Sequence, residues 1–147
     1  QIDTPEALYR RPADRFVASF IGEGSLIRAT LDQIQGDGAL VSVGRAKIAV
    51  PAAPLTGLQP GAQVDLFVRP EHLHAGSDAD AAFAGHVAAS IYQGDHVDLY
   101  VDAPEADNGR LMMRLPAREA AGISGVGAKV AISITGDDAV AFPRPGA

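Results

Sequence analysis

The sequence has 147 residues, a formal net charge of −6 and no cysteine. That length suits one domain or two small lobes, and the missing thiols exclude disulfides, thiolate zinc sites and cysteine nucleophiles. Acidic and basic residues are mixed without a basic cluster, so we expect no nucleic-acid partner. The apolar runs end well short of the roughly 20 residues that a membrane helix needs, so we expect no direct membrane insertion.

The first 23 residues carry helical signals. Thr4-Pro5-Glu6 combines a hydroxyl N-cap, a proline at the first helical position and an early acid, which predicts a short helix over about 5–10. After Pro12 a second helix is predicted over about 13–20, because apolar residues recur at three- and four-residue spacings: Phe16, Val17, Phe20 and Ile21. We therefore expect two short N-terminal helices.

From Ser25 onward, short alternating runs bounded by turn residues predict an all-β sandwich or barrel. The predicted strands are Leu26–Ile34, Ala39–Val43, Ala46–Val50, Gln63–Arg69, Phe83–Tyr92, His96–Asp102, Arg110–Leu115, Lys129–Thr135 and Ala139–Phe142.

The strand over Gln63–Arg69 is the one around which the chain is organised. Its period of two sets Val64, Leu66 and Val68 on a buried face and places Asp65, Phe67 and Arg69 on the outward face. Pro70 stops it, because proline has no amide hydrogen for a sheet ladder. Arg69 and Glu71 then stand at the strand end, where we expect a structural ion pair at the mouth of a barrel.

Side-chain parity predicts the hairpin registers, since directly opposed residues share a face. A three-residue Gln93-Gly94-Asp95 loop sets Ile91 opposite Val97 and Val87 opposite Val101. A two-residue Gly94-Asp95 turn sets Ile91 against Asp98, so we expect the longer loop. In the first hairpin, the same test places Ile27, Ala29 and Leu31 against Val41 and Val43.

Two sequence patterns occur twice. Hairpin turns at Gln35-Gly36-Asp37 and Gln93-Gly94-Asp95 are each followed by a Gly-Ala-x-Val strand start, at Gly61 and at Gly127. The echo is either coincidence or the mark of two OB-like lobes, over about 24–73 and 83–142. The small, acidic stretch over 75–81 then links them or forms an exposed loop.

No motif predicts catalysis, a cofactor or a metal. The glycine-rich 122–129 stretch lacks the Gly-Lys-Ser/Thr order of a phosphate loop, so we expect a β-turn. No serine lies in a Gly-x-Ser-x-Gly elbow. The spacing of the four histidines matches no zinc motif, although a pair could share a face or meet across a hairpin: His72 with His74, and His86 with His96.

Two segments carry a family resemblance. The run from Thr4 to Gly22 is similar to the segment by which ATP-binding subunits of bacterial ABC importers leave their nucleotide-binding domain. The structural signature Arg69, Pro70, Glu71 resembles one in the C-terminal regulatory domain of those subunits, the transport-associated OB (TOBE) domain. The resemblance implies a mainly β, OB-fold-like barrel over 24–147, preceded by a helical exit segment over 1–23, and leans toward iron(III), polyamine, sugar or phosphonate uptake.

The resemblance also implies a function. The chain is expected to be a fragment that stabilises a dimer of such subunits and is not itself an enzyme, with MgATP bound by a nucleotide-binding domain that this sequence lacks. Expected partners are a second copy, through outward residues such as Phe67 or Tyr100, and an ABC permease, through the missing domain. The expected location is cytoplasmic, at the inner face of the bacterial plasma membrane. The alternative is a free-standing OB-type module that binds a small anion.

Overall fold

A computed structural model describes residues 24–123, 125–135 and 139–144. Within them the fold is mainly β, as predicted. Ten strands form: β1 (Ser25–Gln35), β2 (Gly38–Val43), β3 (Ala46–Pro51), β4 (Gln63–Val68), β5 (Leu73–Ala75), β6 (Phe83–Tyr92), β7 (His96–Asp102), β8 (Arg110–Pro116), β9 (Lys129–Ile134) and β10 (Val140–Pro143). One short helix, α1 (Ala117–Ala120), follows β8.

The strands form two five-stranded antiparallel sheets that exchange their edge strands. The first sheet has the order β10-β4-β1-β2-β3, and the second has β5-β9-β6-β7-β8. The chain therefore leaves the first sheet after β4 to complete the second, and leaves the second after β9 to complete the first. One hydrophobic core draws side chains from both sheets.

The two sheets repeat one backbone pattern in detail. In the first, Gly61 N donates to Leu31 O at 2.7 Å and Leu31 N donates to Ala62 O at 2.9 Å. In the second, Gly127 N donates to Val87 O at 2.8 Å and Val87 N donates to Ala128 O at 2.9 Å. Both glycines adopt positive φ, 95° and 90°, which a side chain disfavours. The Gly-Ala-x-Val echo thus marks equivalent positions, where a strand joins the same side of each hairpin.

The predicted hairpin registers are correct in part. Leu31 lies opposite Val41 and Val87 lies opposite Val101, as expected. Near the second turn the prediction is wrong, because Ile91 pairs with Asp98 and the loop is the two-residue Gly94-Asp95 turn. An irregularity between Val87 and Ala89 shifts the register by one residue, which changes the parity that the prediction assumed constant.

Two predictions concern the division of the chain. The two N-terminal helices fall within residues 1–23, outside the described residues, so they stay a prediction. The lobes over 24–73 and 83–142 also stay a prediction, since each sheet takes its edge strand from the other half of the sequence. The linking stretch is exposed from Gly76 to Asp80.

Candidate functional site at the Arg-Pro-Glu turn

The turn that follows β4 carries the chain from one sheet to the other. Arg69 is extended, with φ −71° and ψ 150°, as expected for a residue before proline. Pro70–His72 forms a 3-10 helix, in which His72 N donates to Arg69 O at 3.0 Å. Thr135, just beyond β9, then donates its backbone N to His72 O at 3.0 Å. The predicted strand stop at Pro70 is therefore the point where the chain leaves β4 of the first sheet and enters β5, an edge strand of the second sheet.

The second face of β4 is buried, although the sequence predicts that it faces outward. Asp65 is 0% exposed, Phe67 is 3% exposed and Arg69 is 2% exposed. Phe67 packs with Val140, Phe142 and Leu26 in a cluster separate from the main core. We call these four residues the outer cluster.

Charged groups border the outer cluster. The guanidinium carbon of Arg69 lies 4.6 Å from the centre of the Phe67 ring, a cation–π arrangement. Arg144 Nη1 donates to Asp65 Oδ1 at 3.0 Å, and Arg144 Nη2 lies 3.5 Å from Asp107 Oδ1. The expected ion pair between Arg69 and Glu71 stays a prediction, as does the role of Phe67 in an interface.

A cleft of about 410 Å³ opens beside the turn. Its polar lining is Glu71, His74, Asp95, His96, Arg114 and Glu119. His74 and His96 thus share a cleft, whereas His86 pairs with Asp102 at the opposite end of β7 from His96. Within the described ranges, no group of three or more His, Asp or Glu side chains is placed to hold a metal ion.

Sequence reasoning missed Asp98, which holds Arg114, one of the residues that line this cleft. Arg114 Nε donates to Asp98 Oδ1 at 2.8 Å, and Nη2 donates to Oδ2 at 3.3 Å. Hydrogen bonds from Arg114 lower the pKa of Asp98, and burial opposes that shift. The cross-strand pairing of Asp98 with Arg114 supplies the geometry, and opposite charges at paired strand positions were the signal available in the sequence.

Tyr100, the other candidate interface residue, lies on the outer side of the second sheet. It is half-buried and pairs with Met112 across β7 and β8. The Asp98–Arg114 pair lies on one side of it and an exposed Asp102–Arg110 ion pair, 2.8 Å long, lies on the other. This arrangement places two apolar side chains between two ion pairs.

Comparisons with known proteins place the chain among domains of transport proteins. A family model described as TOBE domain matches residues 66–142. A spermidine/putrescine import ATP-binding protein, PotA, from Pseudomonas fluorescens is 42% identical over 79% of this chain and 31% of its own length. The sn-glycerol-3-phosphate import ATP-binding protein UgpC of Cereibacter sphaeroides is 36% identical, over 80% and 31%. The Fe(3+) ions import ATP-binding protein FbpC of Brucella abortus is 32% identical, over 81% and 32%.

A solved structure shares the fold. The cytoplasmic molybdate-binding protein ModG, with molybdate bound, superimposes with a TM-score of 0.59 at 14% identity, over 81% of this chain and 95% of its own. The likeness supports the predicted OB-like fold, although the sheets form a near-barrel where the sequence predicts a barrel. In the part of the chain that the structure covers, no helix has the length and hydrophobicity needed to cross a membrane.

Proposed function

Because this chain belongs to the TOBE domain family and matches the C-terminal region of importer ATP-binding subunits, we propose that it is a regulatory domain that stabilises a dimer of such a subunit. The observation that carries the proposal is the alignment, which covers 79% of this chain with PotA at 42% identity. The chain spans about a third of the length of the curated relatives. ATP hydrolysis, with MgATP, is assigned to the remainder of such a subunit, which works beside a permease at the cytoplasmic face of the membrane.

The strand exchange supports a bracing role. Each sheet contains an edge strand from the other half of the sequence, so the sheets cannot separate without breaking backbone hydrogen bonds in both. Such a body transmits a displacement as one unit, which a brace between two moving ATPase domains requires.

We assign the contact between copies to the outer side of β7 and β8, around Tyr100. Tyr100 and Met112 supply apolar area at its centre, and the Asp98–Arg114 and Asp102–Arg110 pairs supply a charged rim. An apolar centre within a polar rim is the usual anatomy of a protein interface. In a two-fold contact the same patch serves both copies, and the half-exposed Asp102 of one copy can meet Arg110 of the other.

Sedimentation of the chain over a range of concentrations tests this contact. We expect self-association, and we expect Tyr100→Glu to raise the dissociation constant about tenfold or more. The matched control is Tyr92→Glu, because Tyr92 is 70% exposed near the turn of the β6–β7 hairpin and lies outside the patch. A chain that stays monomeric at every concentration, or a Tyr92 variant as weak as the Tyr100 variant, contradicts the assignment.

The alternative function, an anion-binding module, is disfavoured by the charge of the cleft. Glu71, Asp95 and Glu119 contribute three carboxylates to its lining, and Arg114 is already hydrogen-bonded to Asp98. Calorimetric titration of the chain with molybdate tests the alternative directly. Saturable heat at one site per chain would favour it over the bracing role.

A further inference from the structure

The outer cluster is more deeply buried than its own members can explain. Phe67, Val140 and Phe142 are 3%, 2% and 2% exposed, with Leu26 the other member of the cluster. These residues occupy one face of three neighbouring strands, β10, β4 and β1. Side chains that stand side by side on a sheet face shield each other's flanks but leave their tips in water. The Arg69 guanidinium covers part of the Phe67 ring at 4.6 Å. For Val140 and Phe142, burial to this degree requires a further layer on that face.

The equivalent face of the second sheet has a different character. The Phe67–Val140 pair of β4 and β10 has its counterpart in the Ser133–His74 pair of β9 and β5. Ser133 and His74 are partly exposed. Because the two sheets share one backbone pattern, the backbone does not explain the large apolar residues of the first sheet. We infer that they are covered by a segment that lies on the first sheet and not on the second.

The chain itself points to the occupant. Gly24 begins the described residues directly over the Phe67 ring, since a Cβ built on Gly24 would come within 2.3 Å of the ring carbon Cζ. Residues 1–23 therefore join the body at the edge of the outer cluster. Their sequence places Phe16, Val17, Phe20 and Ile21 at helical spacing.

The dimensions of the two surfaces agree. A helix of eight residues is about 12 Å long at 1.5 Å per residue. Three strands spaced about 4.8 Å apart span about 10 Å between the outer two. One short amphipathic helix is thus enough to cover the outer cluster.

We propose that residues 13–21 dock on the outer cluster, with Phe16, Val17, Phe20 and Ile21 against Phe67, Val140 and Phe142. The docking is independent of the proposed function. Where that function holds, the docked segment ties the β-body to whatever precedes it in the chain, so that the body turns with that part.

A single-tryptophan reporter tests the proposal, because the chain contains no tryptophan. Phe67→Trp places the reporter in the outer cluster, and Phe83→Trp places it in the main core as the matched control. With Phe16→Ser and Phe20→Ser added to the full chain, we expect a red-shifted emission and a several-fold rise in acrylamide quenching for the reporter at 67, and no change for the reporter at 83. Arg15→Ser, a polar position of the same segment, is expected to change neither.

A disulfide test keeps the proposal open to refutation if the tryptophan variants fold poorly. The chain has no cysteine, so the pair Phe20→Cys with Val140→Cys forms a cross-link only if the two residues meet. We expect an intramolecular disulfide for this pair and none for Phe20→Cys with Ser133→Cys. An intermolecular disulfide would assign the face to a second copy. Unchanged quenching at position 67, or no cross-link, would overturn the docking.

Discussion

The two sheets share a backbone plan and differ in the faces they turn away from the core. Both take a Gly-Ala-x-Val strand on the same side of a hairpin with nearly identical hydrogen bonds. The first sheet carries Phe67 and Val140 where the second carries Ser133 and His74. On β7, the second sheet also bears Asp98, Tyr100 and Asp102 with their partners on β8. The shared backbone pattern therefore determines the topology of both sheets. The residue types on each outward face depend on whether that face contacts other groups or solvent.

The largest expected effect comes from emptying the first of these faces. Phe67→Ala removes a ring that is 3% exposed and also removes the cation–π contact with Arg69, so we expect a loss of about 3–5 kcal/mol in the free energy of unfolding. Urea unfolding measures it. The counterpart change, Ser133→Ala, is expected to cost less than about 0.5 kcal/mol. Equal losses at the two positions would show that the faces are equivalent after all.

A smaller effect is expected from crowding the same face. Gly24→Ala places a Cβ within 2.3 Å of the Phe67 ring, so ring or backbone must shift, at a cost of about 1–3 kcal/mol. The matched change in the second sheet is Gly76→Ala, whose Cβ would lie 3.7 Å from Ser133 Oγ, an ordinary contact. Thermal unfolding of both variants checks the difference. A Gly24 variant as stable as the Gly76 variant would mean that the Phe67 ring moves aside without a loss of stability.

The ion pairs of the second sheet should respond to pH. Asp98→Asn removes the carboxylate to which Arg114 donates two hydrogen bonds, and we expect a cost of about 1–2 kcal/mol at neutral pH. Hydrogen bonds from Arg114 hold the folded pKa of Asp98 below that of an unfolded aspartate, so the stabilisation is present above the unfolded pKa and is lost as pH falls through the folded pKa.

Unfolding of wild type and variant between neutral and acidic pH measures this dependence. The gap between their stabilities should narrow as the solution becomes acidic. Asp102→Asn serves as the control, because its ion pair with Arg110 is half-exposed and is expected to contribute at most about 1 kcal/mol. A gap that stays constant with pH would contradict a role for the Asp98 charge.

The smallest effect on stability is expected from making the second face resemble the first. Ser133→Phe with His74→Val adds apolar side chains at partly exposed positions, so we expect little change in the free energy of unfolding. We expect the variant to self-associate more strongly than wild type, since burying an exposed apolar patch against a second molecule is favourable. Sedimentation at matched concentrations measures it, and an unchanged association would indicate that the second face is already covered.

Much of this fold is readable from the sequence because the alternating strands and the Gly-Ala-x-Val starts are local signals. The nine predicted strands are present, and each of their ends lies within one residue of the prediction. The three-residue strand β5 was missed, since a run as short as Leu73–Ala75 carries no measurable period. The register near Gly94 was wrong because the irregularity between Val87 and Ala89 carries no local signal in the sequence.

The candidate site was less predictable. Proline chemistry placed the strand stop at Pro70, yet the burial of Asp65, Phe67 and Arg69 depends on what lies over a sheet face, which no local pattern encodes. The cleft that joins His74 to His96 depends on the edge strand crossing to the other sheet. Contacts between residues far apart in the sequence cannot be predicted from local patterns in a single sequence.

The crossed edge strands also set an order of events during synthesis. β4 gains its outer neighbour from β10, the last strand within the described residues. While the ribosome is still making the second half, the first half holds an open row of amides and carbonyls, a template for pairing with other nascent chains. Synthesis of β10 is thus the step that closes this edge, and a message truncated before residue 140 yields a product prone to aggregate.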